Sequence, residues 1–341
     1  MAGAPSRAVW RRHGNAPLAH AVRPRPLMPR PLMTLDPVFV QQVINGLSLG
    51  AMYALLALGF TLVYGILELI NFAHFNVFMV GSFIGMWALE ALGLSGQSIT
   101  LSGLALVGAL IFAFAVTMLA SGMLGVAIER IALRPLRGVT GTAGMITTIG
   151  VSYILFNVIL LTVGAGSLNY PNPLPTVRWD VAGAVLELRQ VLIWGVALAL
   201  MLGLQLFVSR TRLGKAMRAT AQDAEAARMM GVDVDRVVMT AFFLGSALAG
   251  AAALIFGLYY NFTSFIIGYT AGLRAFTAAV LGGIGSVTGA MVGGVLIGLI
   301  ESLGGQYVAT RWTDVIIFSI LILVLVFAPS GLFGRAAATR S

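Results

Sequence analysis

Long continuous apolar runs, broken by short polar or glycine-bearing stretches, set the pattern of this chain. They fall at roughly 38–66, 68–92, 99–128, 144–164, 189–208, 237–260, 270–303 and 315–328. Most reach the about 20 residues an α-helix needs to cross the hydrocarbon core of a bilayer. The apolar positions do not alternate, so strands are disfavoured; an open sheet in lipid would also leave backbone groups unpaired. The expected fold is therefore all-α: a polytopic helical membrane protein with about eight transmembrane segments.

The seventh run is unlike the others. Gly282-Gly283-Ile284-Gly285-Ser286 interrupts it, and the arm before the break is short for a full crossing. Residues 270–303 are expected to form a glycine-broken, re-entrant-like hairpin. Such a break at membrane depth is tolerated where protein or a water-filled cavity surrounds it. Arg274 and Glu301 lie 10 and 17 residues from Ile284, an offset of about 10 Å along the axis. That offset argues against an ion pair, and Arg274 is expected to snorkel towards the headgroups.

Composition agrees with lipid as the solvent: 59% of residues are hydrophobic and 10% charged. The net charge of +9 does not point to nucleic acid, because the basic residues occupy loops and chain ends. Arg130, Arg134 and Arg137 follow the third run. Arg210, Arg212, Lys215, Arg218, Arg228 and Arg236 fill the segment 209–236, and Arg335 and Arg340 close the chain. Placing these clusters in the cytoplasm satisfies the positive-inside rule and puts the proline-bearing loop 165–188 and the start of the first span outside. Cysteine is absent and only His13, His20 and His74 are present, so neither a disulfide nor a metal centre is expected, and no cofactor is called for. Residues 1–32 read as a disordered Arg/Pro-rich extension, with Met33 an alternative start, and 335–341 as a cytosolic tail. Residues 33–334 carry the transmembrane domain.

The 209–236 segment is a polar island between two apolar runs. Good helix formers from Ala219 to Met230 predict a short helix that Gly231 ends. Glu225 offers a carboxylate, Ala226 and Ala227 a flat face, and Met229 and Met230 adaptable apolar contact for a partner. An ordinary amphipathic surface helix would carry the same pattern. Two other motifs have no catalytic meaning. Gly46-Leu47-Ser48-Leu49-Gly50 matches a nucleophile elbow but lies in a membrane run, and Leu213-Gly214-Lys215-Ala216 lacks the first glycine and the Ser or Thr of a phosphate-binding loop. Enzyme activity is not expected, and any ATPase would be another chain.

Glu225-Ala226-Ala227 followed by Gly231 resembles the coupling motif of membrane subunits of ABC importers. From Met33 onward the chain resembles the branched-chain amino-acid permease family of the LivH type. The resemblance rests on Asn45-Gly46 with Leu49-Gly50, Tyr64-Gly65-Ile66, Ile70-Asn71-Phe72-Ala73-His74, Glu129-Arg130 with Arg134-Pro135, Ala275 through Ser286, and Phe327-Ala328-Pro329 with Gly331-Leu332. It implies import of leucine, isoleucine, valine or related amino acids across the bacterial inner membrane. It also implies a second permease subunit of the LivM type, two ABC ATPase subunits and a periplasmic substrate-binding protein. One departure stands out: Phe75 and Asn76 occupy positions where the family usually has Gly and then a polar residue. Urea or amide cargo, through an importer of this family or a passive channel for a small neutral solute, remains the alternative.

Asn71, His74 and Asn76 are polar groups in an apolar run, and the break near them has a counterpart at Gly282, Gly283 and Gly285. Paired interruptions of this kind point to a translocation pathway, with Thr277 beside the second. Satisfied helix–helix packing is the competing reading for the polar groups. Gly285, Gly289, Gly293, Gly294 and Gly298 are expected to let another helix approach closely.

Overall fold

A computed structural model describes residues 36–94, 101–136 and 142–334. The expected extension 1–32, Arg137 and the tail 335–341 lie outside the described residues. The chain begins α1 (Pro37–Leu67) with Asp36 as N-cap, its side chain accepting from Val38 N–H at 3.1 Å, and with proline in the first turn. Glu68, in a left-handed conformation, ends it. After the irregular stretch 68–72 come α2 (Ala73–Glu90) and α3 (Gly103–Ile128), then α4 (Thr142–Val163), α5 (Leu188–Arg210), α6 (Arg212–Gln222) and α7 (Ala224–Met229). The chain continues through α8 (Val234–Tyr260), α9 (Ile267–Gly282), α10 (Val287–Gly304) and α11 (Thr313–Phe327). A π-helical turn at Glu129–Leu133 extends α3. Each expected apolar segment has its helix, and six helical stretches among the described residues are long and apolar enough to cross a membrane.

α1 and α8 form the buried centre. α1 lies along α10, α8 and α9; α3 packs on α8; α2 packs on α8, α3, α4 and α9. Glycine makes these approaches possible. A methyl on Gly294 would come 2.4 Å from the Ala54 backbone, and one on Gly298 2.2 Å from Gly50 N. Residues Gly289 and Gly293 press in the same way on α9, at Gly282 and Ala278. The regular glycines are thus contact points for α1 and α9, as close helix packing in lipid requires. By contrast α4, α5 and α11 show broad apolar surface, with Leu161 84% and Phe327 81% exposed. Only lipid or another subunit could cover so much.

The two ends of the bundle differ. At one, Val185 N–H donates to Gln41 Oε1 (2.8 Å) and Leu101 N–H to the Pro173 carbonyl (2.9 Å). There β1 (Leu168–Asn169) pairs with β4 (Phe262–Thr263), and β2 (Arg178–Val181) with β3 (Ala184–Glu187). The loop 165–188 is therefore a folded cap and not a free connection. Its Tyr170 is fully buried, filling the space left by Gly85 and Gly257 between α2 and α8. At the other end sit α6, α7, an Arg134–Asp235 ion pair at 2.6 Å and most of the basic residues among those described: Arg130, Arg210, Arg212, Lys215, Arg218, Arg228 and Arg236. The glycine turn 282–286 is seated at this basic end. Gly285 lies beside Gly65, and Leu332 and Phe333 N–H donate to the Leu281 and Gly282 carbonyls at 2.9 and 3.0 Å.

Candidate functional site

The polar island does not fold as one helix. Asp223 interrupts the run from Ala219 to Met230 with extended backbone (φ −158°, ψ 106°), and its carboxylate accepts from Glu225 N–H and Ala226 N–H, both at 2.9 Å. An aspartate that can cap locally competes with helix continuation, and here the cap wins. The result is α6 followed by a six-residue α7. Gly231 (φ +84°) ends α7: its N–H donates to the Arg228 carbonyl (2.9 Å), and Val232 N–H to the Ala227 carbonyl (3.0 Å). This is the paired bonding of a Schellman motif, in which glycine avoids the Cβ penalty.

The faces of α7 are also distributed differently from the sequence expectation. Ala227 is buried against the chain, so the alanines do not form a free face. Glu225 is exposed, and Met229 and Met230 are 79% and 85% exposed. Beneath them α6 is fixed: Thr211 caps it at Gly214 N–H (2.9 Å), Met217 is buried, and Arg218 donates to the Val208 carbonyl at the end of α5. α6 packs on α5, α8 and α1. Through α6, α7 is thus connected to the ends of three long helices.

The candidate pathway residues do not converge. Asn71 Oδ1 accepts from Ala73 N–H (3.1 Å) and so starts α2. The His74 Nε2 lies 3.2 Å from the Leu56 carbonyl, and the ring is buried against Gly59 and Phe60. Thr277 is buried and donates to Leu273 on its own helix (2.9 Å). Gly282, Gly283 and Gly285 serve the tight turn: Gly283 has φ +104°, Gly285 φ +88°, and a methyl on Gly282 would strike the Gly289 carbonyl at 2.0 Å. Asn76 is the exception. Its amide donates to the Ser152 carbonyl (2.8 Å) and hydroxyl (2.7 Å) and lines a cleft of about 430 Å³ between α2, α4 and α9, with Phe72, Phe75, Tyr153 and Tyr269. Phe75 itself fills the space above Gly272.

A second cleft, about 320 Å³, flanks the other side of α9 at the end away from α7. Arg274 faces it, and here the snorkelling expectation fails. Its guanidinium pairs with Glu301 at 2.8 Å and with Asp314 at 2.9 Å, and Nη1 lies 3.3 Å from the Tyr53 hydroxyl. The axial offset of about 10 Å is one between Cα positions. Side chains lean towards the N-terminus of their own helix, and α9 and α10 are antiparallel, so Arg274 and Glu301 lean towards each other and close the gap. Counting along the chain missed this cluster; adding side-chain direction would have found it.

A helical bundle with six stretches able to cross a membrane, broad exposed apolar surface and a capped helix pair at its basic end has the build of a multi-pass membrane protein. The chain belongs to the family described as branched-chain amino acid transport system / permease component, which matches residues 42–325. It is 41% identical over 302 residues to the high-affinity branched-chain amino acid transport system permease protein BraD of Pseudomonas aeruginosa, covering 87% of this chain and 96% of that protein. To LivH of Escherichia coli K12 it is 40% identical over 302 residues, with the same coverage. A more distant match is LivM of Salmonella typhimurium, 26% identical over 156 residues, covering 46% of this chain and 36% of that one. These relatives are named as permease components and not as enzymes.

Proposed function

We propose that this chain is the membrane-spanning permease subunit of an ATP-driven importer of leucine, isoleucine and valine in the bacterial inner membrane. The carrying observation is its end-to-end likeness to BraD and LivH, both named as branched-chain amino acid permeases. The basic end is cytoplasmic by the positive-inside rule, which places the β-ribbon cap outside, where a periplasmic binding protein would deliver cargo. Two ABC ATPase subunits grip α7 through Glu225, Met229 and Met230; Ala226 and Ala227 set it against the chain and Gly231 fixes its end. On this reading the ATPases are separate chains, which agrees with Gly214 and Lys215 being helical within α6 and not part of a phosphate loop. A second, LivM-like permease subunit covers part of the apolar surface left by the peripheral helices. Asn76 and the breaks at 71–76 and 282–286 border the route between the two subunits. A passive urea or amide channel leaves the capped α6–α7 pair without a role.

The test is uptake of radiolabelled leucine, isoleucine and valine by cells whose own branched-chain uptake has been deleted and which express the full set of subunits. Saturable uptake that needs both the binding protein and ATP supports the reading. Uptake of urea or acetamide in preference to all three amino acids contradicts it.

A further inference from the structure

The cleft that carries Arg274 holds an arrangement the cargo reading does not require but would use. It lies between α1, α8 and α9 at the end assigned to the outside, and its volume of about 320 Å³ sits at the small end of ligand pockets, suiting a single amino acid. One wall is aromatic: Phe256, Tyr260 and Phe262 are mutually packed, with ring centroids 4.6 to 5.9 Å apart. Arg274 supplies a guanidinium oriented from behind by Glu301 and Tyr53. Its third partner, Asp314, is 64% exposed and therefore displaceable.

We propose that this cleft is an outer binding site for the α-carboxylate and α-ammonium groups of an amino acid with an apolar side chain. The proposal rests on the branched-chain cargo reading. The carboxylate takes the planar fork of Arg274 in place of Asp314, a geometry guanidinium matches with two parallel bonds. Released, Asp314 faces the ammonium, and the aliphatic side chain lies against the aromatic wall. A bare carboxylate adds to the excess negative charge of one cation with two anions, and a bare amine brings nothing to occupy the Arg274 fork, whereas a zwitterion engages both Arg274 and Asp314. The opposite cleft lacks this arrangement: no charged residue lines it, and its Asn76 amide is committed to Ser152.

The experiment is leucine import into proteoliposomes holding the whole complex, with saturating binding protein, for the wild type and three variants. Thr270→Trp fills the cleft from an exposed position, Asp314→Asn removes the ammonium partner, and Arg274→Gln with Glu301→Gln removes the buried charges together. Co-purification of the ATPases reports assembly. The first two variants change exposed residues, so the test survives if the double variant fails to assemble. Each assembled variant is expected to lose import at least about tenfold, the scale of a charged hydrogen bond. In the wild type, 4-methylpentanoate and 3-methylbutylamine, each lacking one charge, should not inhibit. If the wild type imports leucine and assembled Thr270→Trp and Asp314→Asn import it equally fast, the cleft assignment is overturned and the cargo reading stands. If the wild-type complex imports none of the three branched-chain amino acids, the cargo reading falls and takes the cleft assignment with it.

Discussion

Gly59 of α1 and Gly245 of α8 meet backbone to backbone: a methyl on Gly59 would come 2.4 Å from the Gly245 carbonyl oxygen, and one on Gly245 2.7 Å from that of Gly59. The two central helices cross there because neither carries a side chain. In lipid, where burying apolar surface gives no advantage over the acyl chains, such close packing is what holds helices together. Gly245→Ala is expected to cost about 1–3 kcal/mol, the range for overpacking a tight core. Gly150→Ala on α4, where a methyl meets nothing within 4 Å, should be neutral or stabilising by up to about 1 kcal/mol. Thermal melts of the detergent-purified protein check both; equal shifts for the two variants would refute the packing account.

Arg274 and Glu301 fasten α9 to α10, with side-chain exposures of 22% and 13%. Glu301 has Arg274 as its ionic partner, whereas Arg274 also holds the exposed Asp314, so losing Arg274 strands the buried carboxylate. Arg274→Gln alone should therefore lower stability by roughly 3 kcal/mol, Glu301→Gln by less, and the double neutral variant by distinctly less than Arg274→Gln. The readout is the melting temperature of each variant under one detergent condition. A double variant less stable than either single one would show that the pair is not the coupling unit.

Asp223 and Gly231 bound α7 from its two ends. Asp223→Ala should release the first turn at a cost of about 1 kcal/mol, while Asp223→Asn should retain the cap. Gly231→Val must hold a β-branched residue at φ +84°, whereas Gly231→Asn should be accommodated. Hydrogen exchange over residues 224–232 is expected to speed up in the alanine and valine variants and to stay near wild type in the asparagine ones.

Glu225 and Met229 face outwards on that helix and touch little of the chain. Glu225→Lys should leave the melting temperature almost unchanged, a surface substitution being worth no more than about 0.5 kcal/mol. ATP-driven import should nonetheless fall about tenfold or more if the carboxylate meets a cation on the ATPase. Parallel melting and uptake measurements separate the two effects.

The order and placement of the apolar helices were legible because length and unbroken apolarity are properties of the chain alone. Glycine spacing on α10 likewise announced close packing. Which backbone Gly294 and Gly298 would meet was not legible, since periodicity names a face and not the residue opposite, here Ala54 and Gly50. Asp223 was hidden among strong helix formers, and its capping geometry decides the matter locally. Ala227 looked like free surface because a six-residue helix has too little sequence to show which side is buried. The β-ribbon cap over Tyr170 was equally hidden, its strands being two to four residues long and set by contacts distant in sequence.

The most direct test of the central claim is leucine flux across proteoliposomes that hold this chain in its complete complex, compared with proteoliposomes that hold this chain alone. The account predicts accumulation against a gradient only with the ATPases, hydrolysable nucleotide and binding protein present, and no flux from the isolated chain. Equilibrating flux through the isolated chain, indifferent to nucleotide, would contradict it.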